Sequence, residues 1–256
     1  MIRAVLLDLD DTLVVEEAAA RATFAATAAL AAQRHRIDAA ALGNDARMRA
    51  RELWRAGPSH AYCKRVGISS WEGLWCRFEG DAEDLPELRR WAPAYRRETW
   101  RRALADHGID DDGLADELAD RFGVERRARH QTFADAAPAL EALAGRYALA
   151  VVTNGASCLQ REKLAASGLA DRFEAVVAGG DIGVGKPDRA IFARALDAVG
   201  ATPGNAVMVG NDLEKDVSGA VAAGIRAIWV NRERADGAPD VASIADLREL
   251  PALLSR

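Results

Sequence analysis

Four nearly continuous apolar runs in the second half of the chain, YALAVVT, EAVVAGG, AVMVGN and RAIWVN, alternate with helical patterns over residues 136–144, 158–166, 188–199 and 215–223. Apolar runs without polar alternation read as strands buried on both faces, and strands separated by helices read as crossover units of a parallel sheet. One more such run, AVLLDL at residues 4–9, stands alone near the N-terminus and belongs with these four. Between it and the others, almost everything from Glu16 to Arg129 is helical in period and rich in Ala, Leu, Arg and Glu. The expected fold class is α/β, a doubly wound, Rossmann-like parallel sheet. Residues 1–14 and 130–256 would form its core, and residues 15–129 an inserted α-helical domain.

Composition narrows the function. The chain has 256 residues, half of them hydrophobic and 29% charged, which is enough for one large domain or a domain plus a smaller one. The net charge of −5 argues against a nucleic-acid binder, whose affinity comes from neutralising phosphates. The Ala-rich uncharged run at residues 22–32 falls well short of the roughly 20 residues needed to span a bilayer. Asp8 interrupts the N-terminal apolar run too early for a signal-peptide core. Three cysteines without a CxxC pair imply neither a disulfide framework nor a zinc site, so a cytoplasmic protein is expected.

In doubly wound sheets, ligands gather at the carboxyl ends of the strands. Four stretches fall there: Asp8 to Thr12 (DLDDT), Thr153-Asn154-Gly155, Lys186 within GKPD, and GNDLEKD at residues 210–216. Carboxylates can hold a hard cation, a hydroxyl and an amide can bind oxyanions, and a lysine can neutralise charge. Asp8, Asp10 and Asp11 lie within four positions, which costs repulsion and desolvation unless a divalent cation compensates them. Only four of the 34 basic residues are lysines, so a lysine at position 186 points to a need for a compact ammonium. GGDIGVGKP imitates a nucleotide-binding P-loop up to Pro187, which offers neither a hydroxyl nor an N–H; Pro187 fits better as the first residue of a helix.

These four motifs, in this order and spacing, resemble the haloacid dehalogenase (HAD) superfamily, in its phosphatase type with a helical cap inserted between the first and second motifs. The resemblance covers residues 1–14 and about 130–256. It implies a phosphatase acting on a small phosphorylated metabolite. Asp8 would be the nucleophile that forms an aspartyl-phosphate, and Asp10 the general acid and base. Thr153, Asn154 and Lys186 would bind the phosphoryl group. Mg²⁺ would be held by Asp8, the main-chain carbonyl of Asp10 and an acid of the fourth motif. Many relatives read Gly-Asp at the position of Gly210-Asn211; the nearby Asp212 is therefore the favoured ligand, with Asn211 the alternative and Asp216 a ligand or an orienting group.

A phosphosugar mutase shares the same motifs. A 2-haloacid dehalogenase would lack the acid at position 10, because a halide leaves without a proton. A phosphonate-cleaving relative needs a lysine in the cap, where only Lys64 is available. From residue 15 to 130 there are 20 basic and 20 acidic residues, so the insert is neutral and the surplus negative charge lies elsewhere. Its arginine pairs at 89–90, 96–97 and 101–102 read as a solvated face, and five of the six tryptophans, Trp54, Trp71, Trp75, Trp91 and Trp100, as its core. The expected partner is the metabolite alone, with no nucleic acid and no membrane, for a monomer or homodimer.

Overall fold

The computed structural model of the chain describes residues 1–235 and 240–255. Two compact units are present: Met1–Val15, Arg65–Gly67 and the chain from Gln131 onward form one, and Glu16–Lys64 with Ile68–His130 the other.

The second unit is helical, drawn from α1 (Glu17–Ala32), α2 (Ala39–Ala56), α3 (His60–Val66), α4 (Ser70–Gly73), α5 (Leu85–Asp106) and α6 (Asp112–Arg127). Its interior is aromatic. Phe24, Trp100 and Phe122 cluster with ring centroids 4.8 to 6.3 Å apart, and Tyr95 packs against Trp91 at 4.6 Å and Trp54 at 5.3 Å. The arginine pairs are engaged within the unit: Arg97 with Asp112 and Asp116, and Arg101 and Arg102 with Glu98. Glu16 and Arg126 form a buried ion pair, and the Arg126 guanidinium lies 4.9 Å from the Trp75 ring. No helix among the described residues is long and apolar enough to cross a membrane.

The other unit is built on six parallel strands, β1 (Ala4–Leu7), β2 (Ala148–Thr153), β3 (Ala175–Ala178), β4 (Ala206–Gly210), β5 (Arg226–Val230) and β6 (Ala242–Ile244), in the order β3-β2-β1-β4-β5-β6. The helices of this unit are α7 (Ala136–Leu143), α8 (Ser157–Ala166), α9 (Gly179–Ile182), α10 (Arg189–Ala198), α11 (Gly219–Ala222) and α12 (Leu250–Leu254). Alternate β1 residues enter two separate cores. Val5 and Leu7 join Leu140 and Leu143, while Ala4 and Leu6 join Ile191 and Phe192. That explains why the strands read as unbroken apolar runs. β1 lies between β2 and β4, with Ala4 opposite both Ala148 and Ala206. The strand order reverses there, so the crevice beyond its carboxyl end is the place for a ligand.

Several elements differ from their sequence patterns. β1 stops at Leu7; Asp8 still donates its N–H to Val209 O (2.9 Å), after which Leu13 and Val14 both donate to Leu9 O and close a turn. β3 ends at Ala178, because Gly179 and Gly180 start α9 and the Asp181 carboxylate accepts the Ala178 N–H. Pro187 is not the first residue of a helix. α10 starts at Arg189 behind Asp188, whose short carboxylate accepts the Ala190 N–H and caps the helix, a role open to no proline. In place of one helix over residues 215–223 there is a π-helical turn, Leu213–Ser218, followed by α11. β6 is only three residues long, too short to leave a periodic trace.

Three residues of the inserted segment belong to the sheet unit, which composition does not foreshadow. Gly185 N–H donates to Arg65 O (2.8 Å) and Gly155 N–H to Val66 O (2.7 Å), while Arg65 Nε donates to Gly183 O (2.8 Å). The two N–H donors satisfy carbonyls at the C-terminal end of α3, where no intrahelical partner exists.

Candidate active site

The loop after β1 is held from two sides. Asp8 Oδ1 accepts from Lys186 Nζ (2.6 Å) and Oδ2 from Thr12 Oγ1 (2.9 Å). Thr12 is fully buried, and its hydroxyl also lies 3.0 Å from Asn211 Oδ1, so one proton serves either oxygen. Asp11 adopts φ +59°, a left-handed conformation that Asp tolerates, and donates its N–H to Val14 O. From the far side, Arg232 donates to Thr12 O (2.7 Å) and to both Asp135 oxygens (2.7 and 3.1 Å), with its guanidinium 3.7 Å from the Phe133 ring.

Lys186 is buried between two carboxylates. Its ammonium meets Asp8 at 2.6 Å and Asp216 Oδ1 at 2.7 Å, the latter as an ion pair without hydrogen-bond alignment. Burial works against its charge, but Asp216 and Asp8 outweigh it and raise the lysine above its ordinary value. Burial pushes the Asp216 carboxyl up to about 7; Lys186 opposes that rise and Asp8 adds to it. Asp216 Oδ2 accepts the Asp212 N–H (2.9 Å). Gly210 is what lets Asp216 sit this close, since a Cβ at position 210 would lie 2.3 Å from Asp216 Oδ2. Gly210→Ala is expected to push Asp216 off Lys186 and to cost about 1–3 kcal/mol of stability, as overpacking in a tight interior does. A urea midpoint equal to wild type would contradict that packing.

Asn154 is engaged differently from its expected role. Its side chain donates to Lys186 O (2.9 Å) and accepts from Lys186 N–H (2.6 Å), so the amide fixes the backbone that presents the lysine rather than reaching out for a phosphate. Thr153 is buried at the end of β2, with its hydroxyl 3.2 Å from Gln160 Oε1. Gly155, at φ +108°, supplies a conformation that L side chains rarely adopt; a Cβ there would meet Gln160 Nε2 at 2.5 Å. Asp10 has both carboxylate oxygens on Lys163 Nζ (3.1 and 3.0 Å).

Of the fourth motif, the structure brings Asn211 and Asp216 to Asp8 and turns Asp212 to another task. The Asp212 carboxylate caps the π-helical turn through the N–H groups of Glu214 and Lys215 and pairs with Lys215 Nζ at 2.6 Å. Burial works against its charge, but those donors hold its carboxyl below the ordinary value. An Asp at a helix start is claimed by the orphan N–H groups beside it, so Asp212 is engaged away from Asp8, while Asn211 shares the Thr12 hydroxyl with it.

Gln160, Lys163 and Arg232 also meet these motifs without standing out in the sequence, and Thr12, inside the first motif, gains a role there. For Lys163 a signal was present: the scarcity of lysine that marks Lys186 marks Lys163 equally. Among the described residues, no three His, Cys, Asp or Glu side chains form a metal site. The oxygens that do converge, on Asp8 and Asn211, both lie within 3.0 Å of Thr12 Oγ1. One carboxylate and one amide oxygen suit a small hard cation that completes its shell with water and phosphate, as Mg²⁺ does.

Comparison with known proteins identifies the family. A family model described as haloacid dehalogenase-like hydrolase matches residues 2–224. A phosphoserine phosphatase of Thermus thermophilus is 39% identical over 255 residues, 97% of each chain. An N-acylneuraminate-9-phosphatase of Rattus norvegicus is 34% identical over 169 residues, 62% of this chain and 67% of that one. Among solved structures, a 2-haloacid dehalogenase from Pseudomonas syringae pv. Tomato matches at TM-score 0.63 with 31% identity, covering 100% of this chain and 99% of that one. The magnesium-bound putative HAD-hydrolase YfnB of Bacillus subtilis shares the fold at TM-score 0.67 and 21% identity, covering 100% of this chain and 99% of that one. A parallel sheet with Asp8 at its switch point, and a family match over most of the sequence, lead to one conclusion: the chain belongs to the haloacid dehalogenase-like hydrolases.

Proposed function

We propose that this hydrolase is a Mg²⁺-dependent phosphatase acting on a small phosphomonoester through a phosphorylated Asp8, with residues 15–129 as its inserted cap domain. The observation that carries the reading is the pair of carboxylates two residues apart, in which Asp8 is buried against Lys186 and Asp10 is held separately by Lys163. Separate partners suit separate tasks. A carboxylate oxygen of Asp8 attacks phosphorus while the bond to the ester oxygen breaks and Asp10 gives that oxygen its proton. Asp10 then takes a proton from the water that attacks the phosphorus, which frees Asp8 and releases inorganic phosphate.

Lys186 places positive charge beside the transferring group, and Thr153 would turn its hydroxyl proton from Gln160 Oε1 to a phosphoryl oxygen when substrate binds. Asp8, the main-chain carbonyl of Asp10 and Asn211 would hold the metal, with Asp216 steadying Lys186 beside them. When bound, Mg²⁺ supplies charge screening between the anionic nucleophile and the phosphate. The dehalogenase reading is weaker despite the 31% identity to one such structure, because Asp10 provides an acid that a departing halide does not need.

A relative named phosphoserine phosphatase, similar over 97% of the chain, makes O-phosphoserine the first substrate to try. Phosphate release from O-phosphoserine, sugar phosphates and nucleotides, measured with Mg²⁺ and with excess EDTA, tests the proposal. Turnover of at least one ester should stop with EDTA and return with Mg²⁺; undiminished turnover in EDTA would count against it. A cytoplasmic setting is part of this reading, in line with a sequence whose three cysteines, Cys63, Cys76 and Cys158, form no CxxC pair.

A further inference from the structure

We propose that Lys163 is a positioning residue for Asp10, fixing the carboxylate that serves the leaving group and the attacking water. The inference rests on the role given to Asp10 above. Its basis is geometric. Lys163 Nζ lies 3.1 and 3.0 Å from the two Asp10 oxygens, while its own side chain is 1% exposed and that of Asp10 is 26% exposed. A carboxylate that is a quarter exposed at a loop turn has several rotamers to choose among, and a general acid acts only within hydrogen-bond reach of the atom it serves. Holding it from the buried side narrows that range.

The helix that carries Lys163 supports the reading. α8 buries Leu159, Gln160, Lys163 and Leu164, an unusual face with two polar members. Gln160 and Lys163 are three residues apart and therefore neighbours on the helix surface. One bonds Thr153 Oγ1 and the other Asp10, so a single rigid helix steadies a residue of the second motif and the acid of the first. Leu164 anchors the helix in the same apolar cluster that holds Val5, Leu7 and Leu9 of the nucleophile segment. Taking an ammonium out of water is costly unless an anion is paired with it, and here the anion is Asp10. The chain has only four lysines, and three of them pair with aspartates of the motif loops: Lys163 with Asp10, Lys186 with Asp8 and Asp216, and Lys215 with Asp212.

The test uses two aryl esters, p-nitrophenyl phosphate, whose leaving group needs little protonation, and phenyl phosphate, whose leaving group needs more. Their kcat/KM ratio is measured for wild type, Lys163→Met, Asp10→Asn and the double variant, with circular dichroism to confirm folding. Loss of general-acid help costs about 10²-fold or more on the demanding ester. Lys163→Met should raise the p-nitrophenyl to phenyl ratio at least about tenfold, in the same direction as Asp10→Asn, and the double variant should show no further rise, because residues acting as a unit are non-additive.

A purely structural lysine would lower both esters alike and add its effect in the double variant; either outcome overturns the proposal. If Asp10→Asn itself left the ratio unchanged, the reading of Asp10 would fail rather than that of Lys163. Should Lys163→Met fold poorly, Lys163→Gln, which keeps one donor without the charge, is judged by the same ratio.

Discussion

Asp8→Asn is expected to lower turnover of p-nitrophenyl phosphate by about 10⁴-fold or more, the scale seen when a covalent nucleophile is removed. The protein should nevertheless fold at least as well as wild type. Asn has the volume of Asp and can still accept from Thr12 or Lys186, so no void opens where the wild-type oxygens sit. Charge explains the rest. In metal-free protein, one buried ammonium faces two carboxylates, Asp8 and Asp216. With Asn at position 8 that excess falls to a balanced pair, and the upward push that Asp8 gives the Asp216 carboxyl disappears. A thermal melt in EDTA should therefore show a Tm equal to or above that of wild type, while phosphate release is lost. Substantial residual turnover would remove Asp8 from the nucleophile role; an unfolded variant would contradict the charge account.

Lys186→Met removes the cation that two buried carboxylates share, and its expected cost is larger. Breaking a buried ion pair by taking one partner typically costs about 3–5 kcal/mol, because the remaining charges have lost their compensation. The loss should depend on pH, and its sign follows from Asp216. Burial already holds that carboxyl at about 7 in the folded protein, against an ordinary carboxylate value when unfolded. Between those values the folded state binds more protons, so the contribution of Asp216 to stability falls as pH rises. Without Lys186 the folded value goes higher still, and the window widens upward. Urea unfolding in EDTA should find Lys186→Met closer to wild type at pH 5 than at pH 8, with kcat lost at both. An equal stability deficit at the two pH values would mean that the lysine is not what compensates these acids.

The sheet was legible because its strands are buried on both faces and carry an unbroken apolar signal. The five longer strands were each recognisable from their runs, with ends misjudged by one or two residues, as where Asp8, Gly179 and Asn211 stop the pairing. The chemistry was legible as residue types at strand ends, since Asp8, Lys186, Asn211 and Asp216 do converge. What could not be read was which oxygen faces which donor. Asp212 and Asn211 are adjacent in sequence, and only the geometry of the π-helical turn sends one to the Lys215 ammonium and the other to Thr12. Lys163 and Gln160 were overlooked for a related reason. On a helix with two leucines beside them they pass for surface residues until the loop they touch is in place.

The position of β1 has a consequence for assembly during synthesis. Its neighbours begin at Ala148 and Ala206, so the strand that leads to Asp8 emerges early and waits for most of the chain before either edge can be paired. Contacts this distant in sequence close slowly. An apolar strand without partners is also a ready surface for association with other chains. Lys186 and Asp216 arrive with those late partners, so a nascent chain carries Asp8 long before it carries the charges that tame it. The same topology that places the nucleophile at the centre of the sheet thus makes the site one of the last parts of the molecule to become competent.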